Sequence, residues 1–326
     1  MRWRPSHTVF WCGFWLVYAI ALGYALYIFR GNLTLASFYD VYEQRALASS
    51  VAMGTGVGYA TGVLSGCLNP FLMAIGLRYR RPSLFAVALI CQIFVYATFA
   101  LKSAPISAVV LLVFYFLLLR GRAVRIWRLA AIVCASIALP LLALEFVDID
   151  QSSFLENIAA LVFMRTYAMV GALTGIYYEF FSRSEFTYFS HINLVRQFID
   201  YPYAASLGEV VGESLGLDMN ANANFFATDG IAAAGKLGIV VIGVIVAIML
   251  NLIDRFVPPA NHRLLCIAFV PIAISLANSS VFTTLLTGGL ILLVVLAHFW
   301  RDSLVRAPAA RGARGEKTNM PGHAPV

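Results

Sequence analysis

The sequence predicts an all-α, polytopic integral membrane protein of about eight transmembrane helices, with one large extracytoplasmic loop and one interfacial or re-entrant helix. Three observations predict it. Of the 326 residues, 61% are hydrophobic and only 12% charged, and the mean hydropathy is +0.82, values outside soluble-globular usage. The apolar residues come in runs long enough to cross a bilayer. The basic residues gather in short clusters between those runs, the positive-inside pattern. A net charge of +7 distributed this way is not the footprint of a nucleic-acid partner.

Taken in order, Arg2 and Arg4 precede the first run, Val9–Phe29. It is longer than a signal-peptide core and no small-residue cleavage site follows, so it reads as a retained signal anchor. Further runs occur at Val51–Leu77, Leu84–Leu101, Ala104–Leu119, Leu129–Phe146, Ile231–Ile253, Leu264–Asn278 and Val281–Trp300. With a cytoplasmic N-terminus, most Lys and Arg fall inside, in the clusters around Arg80, Arg125, Arg263 and Arg311. Leu155–Phe181 is apolar enough to be a further span, but counting it would spoil the charge pattern downstream. It is therefore taken as an interfacial or re-entrant helix with Tyr177, Tyr178 and Glu179 at headgroup level. The chain reads as one membrane domain over 1–306, with 147–230 extracytoplasmic, followed by a Pro-, Gly- and Arg-rich disordered cytoplasmic tail over 307–326.

Gly54, Gly56, Gly58, Gly62 and Gly66 crowd the second run, a composition for close helix approach rather than for a nucleotide loop. Cys12, Cys67, Cys91, Cys134 and Cys266 all fall in apolar runs at unrelated spacings. They read as small buried hydrophobes, and no disulfide framework or metal site follows from them.

The chemistry is expected in Ser182–Lys236, the one long polar stretch. Loops beyond about 12–15 residues are usually functional or disordered, and this one is too aromatic for disorder. It holds His191, the only histidine expected on the outer side, and Arg196, the alternating Asn220, Asn222 and Asn224, and Asp229. Histidine is the natural general base near neutral pH, although a loop histidine is more often a plain surface residue. Upstream, Arg165 sits inside an apolar helix, where an unpaired charge is costly. Its face also carries Ala168, Ala172, Gly175 and Glu179, leaving room for a phosphate, or for an ion pair with Glu179. Lys102, in the turn LKSAP, and Arg45, in SFYDVYEQR, are outer cations within reach of a lipid phosphate. Lys102 could equally mark the interface, and Arg45 could pair with Asp40 or Glu43.

Several stretches taken together carry a resemblance: YDVYEQR ending at Arg45, CLNPFLMAIGLRYRR from Cys67, LKSAPIS from Leu101, MRTYAMVGALTG with YYEFF, and NANFFATDGIAAAGKLGIVV from Asn222. Over most of Ser37–Asp254 the chain resembles the O-antigen polymerase (Wzy-like) family of oligosaccharide repeat-unit polymerases. The resemblance implies a multi-pass protein of the bacterial cytoplasmic (inner) membrane with its active site facing the periplasm. It implies a metal-independent glycosyltransferase without cofactors, taking glycan from undecaprenyl pyrophosphate to a hydroxyl of the next lipid-linked repeat unit. Arg165 and Arg196 would stabilise the leaving pyrophosphate, with Lys102 and Arg45 assisting. His191 or a loop carboxylate would help the acceptor hydroxyl. Asn224 and Asp229 would contact sugar or anchor the loop. Membrane lipids, a chain-length regulator and a flippase are the implied partners. Two alternatives stay open: an O-antigen ligase-like transferase, and a transporter of lipid-linked sugar. The transporter would require paired discontinuous helices and pseudo-symmetric halves, neither of which the sequence suggests.

Overall fold

The computed structural model describes residues 5–31, 48, 50–51, 55–99, 101, 103–119, 126–145, 168–216 and 220–304. Among them every regular element is helical. Four helices are long and apolar enough to cross a membrane, or five if one bent pair is counted as a single span. Arg165, Lys102 and Arg45 lie outside the described residues, as do the tail 307–326 and residues 155–167 of the expected interfacial helix.

The first helix, α1 (His7–Phe29), begins at Ser6, whose hydroxyl accepts from the Val9 amide at 3.3 Å. Phe10, Phe14 and Tyr18, one helical turn apart, are its buried stripe. The central helix is α2 (Val57–Arg78), most of which is buried against its neighbours. Its glycines do what their crowding predicts. A Cβ on Gly62 would lie 2.3 Å from the Thr287 carbonyl oxygen, and one on Gly66 equally close to that of Gly288. Only glycine lets the two backbones meet there.

The hairpin partner is α3 (Pro82–Phe99), followed by α4 (Ser103–Phe114), which ends in a π turn over Tyr115–Leu119, and α5 (Ile126–Glu145). A second π turn, Leu64–Leu68, sits inside α2. It lies where a polar network crosses the bundle: Tyr18 donates to Asn69 Oδ1 at 2.6 Å, and Asn69 Nδ2 donates to Gln92 Oε1 at 2.8 Å. Gln92 Nε2 lies 3.2 Å from both the Ser65 carbonyl and Ser107 Oγ. Four helices are thus joined by buried amides that satisfy one another, which an apolar environment demands. Gln92→Leu is expected to cost about 1–3 kcal/mol for the orphaned Asn69 donor. Thermal unfolding in detergent measures it, and an unchanged midpoint would show the network to be dispensable.

Beyond α6 (Met169–Phe181) and α7 (Leu207–Ser214), the apolar run expected at Ile231–Ile253 is α8, Phe226–Phe256. It is not one straight rod. A Cβ on Gly238 would lie 1.9 Å from the Gly230 carbonyl oxygen, one on Gly230 would lie 3.1 Å from Ile239 Cα, and one on Gly243 would lie 3.9 Å from Phe226 Cε1. Residues eight or more apart cannot touch along a helix that rises 1.5 Å per residue. The chain reverses at Ala234 and Gly235, the latter at φ 59° and ψ −134°, a conformation suited to glycine. A short arm, 226–233, therefore runs back along the long arm, 236–256.

The last two expected spans are broken as well. α9 (Pro259–Ala268) and α10 (Val270–Leu276) meet at 58°, with Pro271 at the start of α10. α11 (Val281–Leu286) stops before Gly288 and Gly289, and α12 (Leu290–Phe299) follows. The sequence reading expected no discontinuous helices; the structure has them. At the opposite end of the bundle, buried Asn261 donates to the carbonyls of Ala297 and Trp300 at 2.8 and 2.9 Å, and the Trp300 indole donates to Tyr79 at 2.9 Å. Of the cysteines expected to be buried, Cys67 and Cys91 are, whereas Cys12, Cys134 and Cys266 are exposed. Apolar faces exposed on membrane helices face lipid, so hydrophobic sequence context alone does not mean burial in protein.

Candidate functional site

The polar stretch has a small core of its own. Leu173, Tyr177 and Phe181, one turn apart on α6, pack with Leu207, Val211, Ala221, Ala223, Ala227 and Ile231. α7 starts in a capping box, Ser206 with Glu209, so Glu209 is a structural acid. Residues 220–224 then run extended, with Ala221 and Ala223 buried and Asn222 exposed between them. Gly208 lets this strand-like segment approach: its carbonyl accepts from Ala221 N at 2.8 Å, and a Cβ there would strike Asn220 Oδ1 at 2.0 Å.

Asn224 ends the segment and is buried. Its Nδ2 donates to Thr174 Oγ1 at 2.7 Å, and its Oδ1 accepts from Ala227 N at 3.2 Å, capping the short arm of α8. Asp229 lies on that arm, within the π turn Phe226–Ile231, and is fully buried. One of its oxygens accepts from the Val281 amide at 2.6 Å, at the start of α11, and the other is 3.1 Å from His191 Nε2. His191 Nδ1 in turn lies 3.1 Å from Thr187 Oγ1, which is 3.0 Å from the Ala232 carbonyl. The Thr187 and Tyr188 amides donate to the carbonyls of Ala232 and Ala233 at 2.8 and 3.2 Å, pinning the loop to the tip of the α8 hairpin. Tyr188 and Phe189 take positive φ values, 45° and 66°, to make that turn.

Beside the tip is a cavity of about 300 Å³, lined by Tyr178, Phe181, Ser182, Phe186, Ile231, Ala234, Gly235, Lys236 and Leu237. Its lining is mostly apolar, with two hydroxyls, Tyr178 and Ser182, and one cation, Lys236. The Lys236 ammonium lies 5.6 Å from the Tyr178 ring centroid. Arg196 is elsewhere on the loop, exposed in the short 3₁₀ turn Val195–Gln197, its guanidinium 5.0 Å from the Tyr201 ring. Among the described residues, the Tyr201 hydroxyl is the one buried side-chain polar atom without a hydrogen-bond partner. Burial first, and Tyr203 second, push its pKa up to about 12, against the opposing pull of Arg196. Burial likewise raises Tyr177, whose hydroxyl donates to the Ala221 carbonyl at 3.0 Å.

Of the four described candidates, the structure brings His191 and Asp229 together and leaves Arg196 and Asn224 apart from them. The side chain of His191 is only 9% exposed and both of its ring nitrogens are engaged, which is the geometry of a fixture rather than of a free base. Asn224 is hydrogen-bonded to Thr174 and Ala227, and Asp229 to Val281 and His191. On α6, Ala172, Gly175 and Glu179, which share the expected Arg165 face, are exposed, and Glu179 pairs with Arg183 at 3.2 Å. Lys236 is the residue that sequence reasoning passed over as a site candidate; a lone cation at the head of a long apolar run was its only signal. Among the described residues no three His, Cys, Asp or Glu side chains converge on a metal-sized site. Comparison with protein-family models, curated proteins and solved structures finds no match to this chain. The chemistry rests on the residues themselves.

Proposed function

We propose that the chain is a glycosyltransferase of the bacterial inner membrane that polymerises lipid-linked oligosaccharide repeat units, with eight crossings and its site on the periplasmic side. The observation that carries this reading is the cavity at the tip of the α8 hairpin. It combines an apolar wall with Lys236, and it adjoins a helix whose flank is open to lipid through Leu237, Val240 and Val244. That combination suits a polyprenyl chain ending in a pyrophosphate. In the reaction, the acceptor hydroxyl oxygen bonds to the donor's anomeric carbon and the bond from that carbon to the pyrophosphate oxygen breaks. The lipid pyrophosphate leaves as an anion and the hydroxyl proton passes to a loop carboxylate. Lys236 meets the developing charge together with Arg165, and Arg196, Lys102 and Arg45 assist in binding from the surrounding surface. His191, held by Asp229 and Thr187, keeps the loop in register rather than taking the proton.

Removing a group aimed at developing charge typically costs about 10²–10³-fold in rate. Lys236→Gln is therefore expected to slow polymerisation from a purified lipid-linked repeat unit by that order, with Arg196→Ala and Arg165→Ala acting in the same direction. In a deletion strain complemented with Lys236→Gln, the glycan ladder should collapse to a single attached unit. Loss of all attached glycan would instead mark a ligase. A second reading, transport of the lipid-linked sugar, is favoured by the broken helices α9–α10 and α11–α12. It predicts full chain length at reduced yield.

A further inference from the structure

We propose that the turn 192–199 is a membrane-surface anchor that seats Leu194 and Phe198 in the headgroup layer and holds Arg196 against the Tyr201 ring, whichever chemistry the protein performs. Phe198 is 83% exposed and Leu194 69%, the two most exposed large apolar side chains among the described residues of a loop that has a small core of its own. The turn is tight and mixes 3₁₀ and α bonding: Phe198 N donates to the Val195 carbonyl at 2.9 Å, Arg196 N to that of Ile192 at 2.9 Å and Ile199 N to that of Val195 at 3.0 Å. Leu194 and Phe198 flank the 3₁₀ turn Val195–Gln197 and are left uncovered by the protein, while the Arg196 guanidinium between them lies 5.0 Å from the Tyr201 ring centroid.

The occupant of the apolar face follows from where the turn is tethered. Tyr188, itself 58% exposed, donates its amide to Ala233, next to the point where α8 reverses. Within a few residues of that point the exposed stripe of the long arm begins, with Leu237 75%, Val240 63%, Val244 52% and Ile248 54% exposed. Such a stripe on a span faces acyl chains, so its first residues mark the depth of the bilayer boundary. Tight turns follow one another from Thr187 to Ile199, through Ser190 N to Thr187 O at 2.8 Å and Ile192 N to Phe189 O at 3.0 Å. The apolar face is therefore held close to that boundary. Aromatics interleaved with Lys236, Arg183 and Arg196 give the composition of a headgroup belt. A lipid surface is thus favoured over a protein partner. Anchoring at this point would fix the height of Arg196 and of the hairpin tip relative to lipid phosphates.

The test is site-directed spin labelling in proteoliposomes of phosphatidylethanolamine and phosphatidylglycerol, with the exposed cysteines Cys12, Cys134 and Cys266 replaced. Labels at Phe198→Cys and, independently, at Leu194→Cys should collide with oxygen several-fold more often than with a water-soluble nickel chelate. A label at Glu213→Cys, on the exposed end of α7, should show the reverse. Chelate collisions at positions 194 and 198 matching those at 213 would place the turn in water and overturn the proposal. Protection from both reagents would reveal a protein partner or second copy on this face and would overturn it equally. Since both labelled positions are solvent-exposed, the two variants do not share a folding defect, and either one decides. Polymerising activity is not the readout, so failure here is distinct from failure of the glycosyltransferase reading.

Discussion

Asp229→Ala is expected to detach the polar loop from the helices beneath it, at a cost of about 1–3 kcal/mol for each buried donor it leaves without an acceptor. Asp229→Asn should be far milder. The difference follows from proton counting. Thr187 has a single hydroxyl proton and two candidate acceptors, the Ala232 carbonyl and His191 Nδ1. If the proton goes to Ala232, Nδ1 must carry a hydrogen, and Nε2 must carry a second one to face the carboxylate. If it goes to His191, the neutral ring donates from Nε2 to Asp229. Both states need an acceptor at Asp229, and the Val281 amide needs its other oxygen. Alanine removes both acceptors inside a fully buried site and leaves the Val281 amide and His191 Nε2 without partners. Asparagine keeps one oxygen for Val281 and offers an N–H to Nε2 of a ring protonated at Nδ1, while Thr187 donates to Ala232. Both groups that faced the carboxylate, Val281 N and His191 Nε2, stay paired. Thermal unfolding in detergent, with protease cleavage of the loop as a local readout, distinguishes the variants. If alanine and asparagine behave alike, or if Asp229→Ala and His191→Ala add without coupling, the pair does not hold the layer down.

Much of this fold is legible in hydropathy, because an apolar run in a bilayer has little choice but to be helical. Each of the eight apolar runs contains described helix. What hydropathy cannot register is a change of direction within a run. Ile231–Ile253 is uninterrupted by charge except at Lys236, yet the chain reverses inside it, and the signal was the spacing of Gly230, Gly235 and Gly238 rather than any polar break. The breaks at Pro271 and at Gly288–Gly289 had the same kind of local signature. The second-run glycines were interpretable as contacts, but their partner, the backbone at 287–288, was not, since nothing local encodes which helix comes near. The site divides similarly. His191 and Asp229 could each be picked out as unusual, but they stand 38 residues apart, and their pairing exists only once the hairpin brings the short arm beneath the loop. That pairing also moves His191 from base to fixture. Arg196 stayed on the surface of the loop as its polar neighbours suggest, and Lys236 gained importance only from the cavity that the reversal creates.

Gly238→Ala and Gly243→Ala are expected to change stability in opposite directions. Both residues lie on the long arm of α8, five positions apart, and both substitutions add one methyl group. At Gly238 the new carbon would stand 1.9 Å from the Gly230 carbonyl oxygen and 2.8 Å from its carbon. These are backbone atoms, so no side-chain rotation relieves the clash and the two arms must separate. Overpacking of this kind costs about 1–3 kcal/mol, occasionally more, and the upper end is expected because Asp229 precedes Gly230 and would be drawn away from His191 and Val281. At Gly243 the nearest atom is Phe226 Cε1 at 3.9 Å, an ordinary contact. Alanine there keeps the helix and gains up to about 0.8–1 kcal/mol over glycine in helix propensity. Were α8 a continuous rod, positions 230 and 238 would lie about 12 Å apart along its axis, and Gly238→Ala would stabilise as Gly243→Ala does. The sign of the shift in unfolding temperature at Gly238, read against Gly243 in the same detergent, therefore decides between a span and a hairpin. It also decides whether the cavity beside Lys236 has the wall that the reversal builds.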